Sequence, residues 1–463
     1  MNHLSAAHLI ISAEINLPFK PPRSSIPLLT EMISNLHGSR LESEILPSLS
    51  NLVLVDNSAG RVDIPSLRSA LHYEDVLEDG GTGRPLPNQG LQSSEVCGMQ
   101  FTSGTTGMPK AAELTHVGLL NNGLQIGDRM LLTPNDVICV PPPLFHCFGC
   151  ILGYMATATH GSAIVFPSEA FDPLLSLRAV QDYECTGLYG VPTMFLAELE
   201  LLSDGKVPRT GLNKLRTGIA AGSSVPSALM SRLHAELNLT ELTICYGMTE
   251  TSPVSFMTTT DDPLEKRLDS VGRLLPHVQA KIVDPEDRSK ILKVGERGEL
   301  AVSGYLVMRG YWGDKEKTDE VLQPDENGRL WMFTGDEGSF DSEGYVKITG
   351  RIKDLIIRGG ENIHPLEVEN CLLGHPSVNG VSVVGIKDER YGEVVAAFVV
   401  KRHGHEATGA SIRSFVKQRL SSHLVPKYVF FVDDFPKTAS GKIQKFKLKD
   451  SGEEMVKEGK GLD

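Results

Sequence analysis

The chain has 463 residues, 40% of them hydrophobic and 22% charged, with a net charge of -13. That is enough length for two or three domains around a large core, in the balance of a soluble globular protein. The acidic excess disfavours a general affinity for nucleic acid or anionic lipid, and seven scattered cysteines, an odd number, suggest a reducing compartment rather than a disulfide framework.

The opening MNHLSAAHLIISAEINLPFK has no basic n-region, and its apolar run is too short for a signal peptide or a membrane span. The chain therefore reads as intracellular, cytoplasmic by default, with mitochondrial and peroxisomal addresses left open. A strand is expected at 8–12, a helix over 26–36 and a second strand at 51–56. A polar Gly/Pro linker follows over 79–95.

A strand at 96–101 then runs into FTSGTTGMPKAAELTH. The glycines at 104 and 107 let backbone N–H groups turn toward an anion. Four hydroxyls, from Thr102, Ser103, Thr105 and Thr106, and the Lys110 ammonium add donors and positive charge. Gly104 and Gly107 stand too close for a Walker A loop, and Pro109, directly before Lys110, biases Met108 toward an extended conformation. The stretch reads as a loop that follows a strand and closes over phosphates; the bland alternative is an ordinary Gly/Thr turn. A helix over 117–130 follows, with Thr115 as its cap.

Short β-prone runs at 137–140, 163–166, 187–189, 215–220 and 242–245 alternate with amphipathic helices over 174–183, 193–202 and 227–237. This predicts a mostly parallel sheet with helices on its faces and ligands beyond the strand C-termini, and Phe101 is expected to lead into such an edge. After about 268 the texture changes to short strands at 280–283, 298–303, 330–333 and 345–348, with a hairpin loop at 341–344, so a β-rich subdomain is expected over about 268–350. Past 351 an α+β unit begins, with helices over 366–373 and 412–420 and strands at 381–386 and 394–400. The fold class is thus α/β: a large N-terminal domain, 1–352, followed by a smaller mobile α+β domain, 353–463. Cys147 and Cys150 have the C-x-x-C spacing of redox or zinc sites, but no second ligand pair stands nearby, so buried thiols are expected. Lys437, Lys442, Lys445, Lys447 and Lys449 read by themselves as a solvated basic face.

TSGTTGMPK resembles the phosphate loop of the adenylate-forming superfamily, which comprises acyl-CoA synthetases, adenylation domains of peptide synthetases and luciferases, and the other signatures follow in order. The resemblance implies that Thr102, Ser103, Gly104, Thr105, Thr106, Gly107 and Lys110 hold phosphates, and that Gly222 and Ser223 of Ala221-Gly-Ser form the adenine-side loop. In Tyr246-Gly247-Met-Thr-Glu250, it implies that the aromatic stacks on adenine and Glu250 holds Mg²⁺. Asp336 of FTGD would bind the ribose, since one carboxylate can accept from both hydroxyls. In GRIKD, Arg351 would reach nucleotide and Lys353 would be the hinge. Gly359 and Gly360 would line a thiol channel after domain rotation, and Lys442 of PKTASGK would reach the α-phosphate and the acyl carboxylate.

Within the superfamily the chain is most similar to the medium-chain acyl-CoA synthetase branch of the family-member-2 type, on PPPLFHCFG, YGVPTMF, GYWGD, IIRGGENIHPLEVE and SGKIQKFKLK. That likeness puts His146 and Gly190, with 190–194, at the acyl pocket. It implies an enzyme that uses ATP and Mg²⁺ to adenylate a medium-chain fatty or related carboxylic acid, releases pyrophosphate, and passes the acyl group to CoA. Delivery to a carrier protein and a non-catalytic nucleotide-binding remnant are the alternatives. The expected partners are the acid and CoA, with oligomeric state open. Family members usually carry more sequence ahead of the strand at 8–12, so the N-terminus is expected to be truncated, exposing apolar surface and a sheet edge. Ala111 also departs from the glycine common at that point of the loop.

Overall fold

Strands buried along their whole length, such as Gly187–Gly190 and Thr217–Ala220, have no wet face, which is the mark of a parallel sheet covered on both sides. In the computed structural model, Val137–Cys139, Ala163–Val165, Gly187–Gly190, Thr217–Ala220 and Glu241–Gly247 run parallel, and Val254–Met257 and Arg273–Leu274 extend the sheet antiparallel to seven strands. The structure describes residues 4–18, 20–81, 90–102, 109–222, 225, 227–438 and 442–462. Helices Pro173–Asp182, Pro192–Ser203 and Ser227–Leu237 return the chain between parallel strands. Phe195, Leu199 and Leu202 line one face of the second helix and are buried. Each such side chain contributes roughly 1.5–3 kcal/mol when fully removed from water.

The strand Val96–Thr102 does not join this sheet. It pairs antiparallel with Lys110–Thr115, in a register that sets Phe101 opposite Ala111 and Thr102 opposite Lys110. The expectation that Phe101 leads into the parallel edge is therefore corrected: the phosphate-loop sequence connects a hairpin. A short connection brings the chain straight back antiparallel, whereas a parallel neighbour needs a crossover of a dozen residues or more. The helix His116–Met130 follows at once, and Thr115 caps it by accepting from the Gly118 N–H at 3.1 Å.

Two compact units are distinguished, residues 1–95 with 168–172 and residues 96–167 with 173–463. In the first, His8–Ser12, Asn51–Val55 and Leu71–His72 form a parallel sheet, and Leu29, Ile33, Leu52 and Leu54 belong to its buried core. Its helix is shorter than expected, Ile26–Met32, with no side-chain hydrogen bond at its N-cap. The helix Tyr73–Gly81 occupies the start of the expected linker. In the second unit, Val278–Val283, Gly298–Gly304, Leu322–Pro324, Leu330–Phe340 and Val346–Arg351 form an antiparallel sheet, with the loop at 341–344 joining the last two strands.

Beyond residue 353, Glu361–Ile363, Ile356–Arg358, Gly392–Lys401, Val378–Asp388 and Tyr428–Phe431 build a further sheet. Helix Pro365–Leu373 is followed by Gly409–Lys417, which starts three residues earlier than predicted because its N-cap Thr408 forms a capping box with Ser411 in its first turn, and which ends three residues earlier. The tail lysines are not a free basic face: Lys445 pairs with Glu369 at 2.7 Å, Lys449 with Glu393 at 2.7 Å and Lys437 with Asp434 at 2.6 Å. No helix among the described residues is long and apolar enough to cross a membrane.

Candidate active site

Because the five strands are parallel, their C-terminal ends share one edge, where open α/β sheets bind ligands. Gly190, Gly222, Tyr246, Gly247, Glu250 and His146 all lie at or just past those ends. Gly247 admits no other residue, since a Cβ there would stand 1.8 Å from the Pro253 carbonyl oxygen. Behind the edge, Asn122 of the helix His116–Met130 donates to the Val254 carbonyl at 2.8 Å and accepts from its N–H at 3.0 Å. This two-way clamp fixes the strand that follows Glu250.

Glu250 is buried in a 3-10 turn, and its Oε1 accepts from the Tyr311 hydroxyl at 2.6 Å. Lys110 Nζ donates to the same hydroxyl at 3.0 Å and lies 4.1 Å from the centre of the Tyr311 ring. At the start of the loop, the Thr102 hydroxyl is buried with no hydrogen-bond partner among the described residues. Ser103, Gly104, Thr105, Thr106, Gly107 and Ser223 lie outside the described residues.

The antiparallel sheet supplies the next group. Asp336 and Arg351 face each other in register on adjacent strands, with Arg351 Nε 3.6 Å from Asp336 Oδ1. The Tyr246 hydroxyl donates to Asp336 Oδ2 at 2.6 Å. Burial pushes the Asp336 carboxyl up, against the pull of Arg351 and the Tyr246 hydroxyl.

Lys442 enters the same cleft from the C-terminal part of the chain. Its side chain is still open to solvent, yet the surrounding walls withdraw enough water to push the ammonium down. Arg351 pushes it further the same way, while Asp336, Cys147 and Glu250 oppose. His146 is driven down to about 4 by burial and by Lys442, so its ring is neutral near pH 7. Its Nδ1 accepts from the Phe148 N–H at 3.1 Å. Cys147 is a buried thiol pushed up to about 11 by burial. Lys353 is lowered by burial first and then by Arg351.

Gly359 and Gly360 form the tip of the hairpin between Ile356–Arg358 and Glu361–Ile363, at φ +60° and +88°, where glycine is favoured for turn geometry alone. Among the described contacts, none joins that tip to Lys442 or Asp336. Tyr311 was not singled out from the sequence. GYWGD held the signal, but a buried aromatic in a Gly-rich turn reads as packing until its hydroxyl is seen between Lys110 and Glu250.

The model of the AMP-binding enzyme family matches residues 30–312, and that of the AMP-binding enzyme C-terminal domain matches 367–442. The chain belongs to the AMP-binding enzyme family. It is 46% identical over 454 residues to the acyl-CoA ligase SID4 of Ajellomyces capsulatus, covering 96% of this chain and 75% of that protein. It is 39% identical over 422 residues to the mitochondrial medium-chain acyl-CoA ligase ACSF2 of Danio rerio, covering 90% of this chain and 67% of that one. Among solved structures, ATP-bound MatB from Rhodopseudomonas palustris superposes with a TM-score of 0.74 at 29% identity, over 87% of this chain and 79% of that one. The anthranilate CoA ligase AuaEII, in complex with anthranoyl-AMP, shares the fold with a TM-score of 0.82 at 23% identity, over 98% of this chain and 80% of that one. This member of the family is thus an enzyme of the mixed α/β architecture shared by adenylate-forming enzymes.

Proposed function

We propose that this AMP-binding enzyme is an ATP-dependent acid–thiol ligase that converts a medium-chain fatty or related carboxylic acid to acyl-AMP and then transfers the acyl group to CoA. The observation that carries the reading is the convergence of Lys442, Arg351, Asp336 and Glu250 in one cleft, with Lys110 held to Glu250 through Tyr311. Adenylation brings a carboxylate against the α-phosphate of a polyanion, so a catalyst must surround both with positive charge and fixed donors. Lys110, Lys442 and Arg351 are those charges. Burial and Arg351 disfavour the Lys442 charge, and an anionic phosphate beside it would favour that charge.

Asp336 takes the ribose hydroxyls, Tyr246 the adenine face, Gly222 and Ser223 the purine edge, and Thr102 with the residues of 103–107 the phosphates. His146, neutral near pH 7, walls the acyl pocket with Gly190 without adding a competing cation. No three His, Cys, Asp or Glu side chains gather as a metal cage among the described residues. Glu250 offers a single buried carboxylate, which fits Mg²⁺ because that ion keeps waters and arrives on nucleotide phosphates. When bound, Mg²⁺ neutralises phosphate charge.

Residues 353–463 form the mobile domain, with Lys353 as its hinge. It presents Lys442 for adenylation and the Gly359–Gly360 tip for the thiol step. The free state of all seven cysteines supports a reducing, intracellular compartment. ATP–pyrophosphate exchange over a panel of acids, followed by CoA addition, tests the assignment. Exchange with at least one acid and thioester formation on adding CoA are expected; no exchange with any acid overturns it.

A further inference from the structure

The segment Met308–Trp312 is strapped across the site by its backbone. Its Met308 N–H donates to the Glu250 carbonyl at 2.9 Å, and its Trp312 N–H to the Ala111 carbonyl at 2.9 Å. Between these, Glu113 N–H donates to the Gly310 carbonyl and Arg309 N–H to the Glu113 carbonyl, both at 2.9 Å. Ala112 and Tyr311 form a β-bridge, and the Tyr311 N–H donates to Thr318 Oγ1 at 2.9 Å. Tyr311 is therefore held by main-chain bonds at both ends, one set on the phosphate-loop hairpin and one at Glu250. Tyr311 as a whole is 5% exposed, and its hydroxyl accepts from Lys110 at 3.0 Å and donates to Glu250 at 2.6 Å.

We propose that Tyr311 is a positioning residue for adenylation, whose hydroxyl keeps Lys110 and Glu250 apart and aimed, so that the lysine is free for phosphate and the carboxylate for the nucleotide's metal. An ammonium and a carboxylate facing one cleft attract each other strongly when partly desolvated. A direct pair between Lys110 and Glu250 would spend both charges on one another, and nucleotide would have to break it. A phenol between them satisfies one as acceptor and the other as donor, and it leaves each with open valences. The ring face under Lys110 adds a second attraction without neutralising it. The proposal rests on the ligase reading above.

The test compares Tyr311→Phe, which keeps the ring and its packing, with the wild-type enzyme in equilibrium binding of a non-hydrolysable ATP analogue with and without Mg²⁺, and of AMP. The variant is expected to bind the Mg²⁺-loaded analogue about tenfold more weakly and to need about tenfold more Mg²⁺, as when a partner behind a metal ligand is removed. Its affinity for AMP and its rate of thioester formation from supplied acyl-AMP should hold to within about twofold, within the tenfold loss that range sets as a minimum. Should Tyr311→Phe fail to fold, Tyr311→His, which restores a donor on a ring, is compared with Tyr311→Leu, which has none. The His variant is expected to bind the Mg²⁺-loaded analogue more tightly. Unchanged Mg²⁺-analogue binding in the donor-free variant overturns the proposal, as does a loss of AMP affinity equal to the loss for the Mg²⁺ analogue, which would mark a packing role. If the wild-type enzyme binds no nucleotide, the ligase reading falls and the proposal with it.

Discussion

Glu198 carries a cost that can be removed. It lies on the helix Pro192–Ser203, 0% exposed, and neither carboxyl oxygen has a hydrogen-bond partner among the described residues. Burial pushes its acid well above the ordinary value of 4.5. Two penalties follow. A buried polar group without partners costs about 1–3 kcal/mol. In addition, the folded chain holds a proton that the unfolded chain releases above pH 4.5. The folded-state acid is the weaker one, so stability is greatest below the unfolded value and falls as pH rises toward the folded one. Each such unit removes about 1.4 kcal/mol.

Glu198→Gln keeps the size and the unpaired polar group but has no proton to lose. Glu198→Met removes both penalties with little change of volume. Urea denaturation followed by circular dichroism at pH 5, 6, 7 and 8 separates the two terms. The Gln variant should gain on wild type by about 1.4 kcal/mol per pH unit while the folded acid keeps its proton. The Met variant should exceed the Gln variant by a further 1–3 kcal/mol or so at every pH. ATP–pyrophosphate exchange should be unchanged in both. A Gln variant whose stability runs parallel to wild type across that range, or a Met variant less stable than wild type, refutes the argument and means the carboxylate is ionised and engaged.

Lys442→Ala should lower pyrophosphate exchange by about a hundredfold or more while sparing thioester formation from supplied acyl-AMP; equal loss of both half-reactions refutes the division of labour. Tyr246→Phe removes the donor 2.6 Å from Asp336 Oδ2. It should raise the KM for ATP about tenfold, the worth of roughly 1.4 kcal/mol for a bond to a charged group, and an unchanged KM means Asp336 is held without it. His364, which opens the helix Pro365–Leu373, meets Glu337 at 3.2 Å and ties the residues beyond 353 to the antiparallel sheet. His364→Ala should slow adenylation about fivefold, the worth of about 1 kcal/mol, without slowing the thiol step; stopped-flow measurement of each half-reaction checks this, and a parallel fall in both would show general damage.

Amino-acid order alone determined the alternation of strand and helix from 137 to 247, because wholly buried strands and one-sided helices leave their periods in the side-chain pattern. It also determined the Thr115 cap, whose hydroxyl acts within its own turn, and the loop at 341–344 between the last two strands of the antiparallel sheet. The candidate residues Lys110, Tyr246, Glu250, Asp336, Arg351 and Lys442 were named through the family resemblance of the short strings that hold them; apart from the glycine- and hydroxyl-rich loop before Lys110, each string taken alone reads as an ordinary turn or a solvated charge.

Contacts between distant strings were decided only by the tertiary structure. Lys110–Thr115 lacks the β-branched run that announces a strand, and it is one because Val96–Thr102 and the Gly310–Trp312 segment supply its hydrogen bonds. The tail lysines look like a solvated face until Glu369 and Glu393 are brought to them from 76 and 56 positions away. Tyr311 is 201 residues from Lys110 and 61 from Glu250. No periodicity reaches across such intervals, since the sheet order that closes them is set by burying the whole core at once rather than by any one stretch of chain.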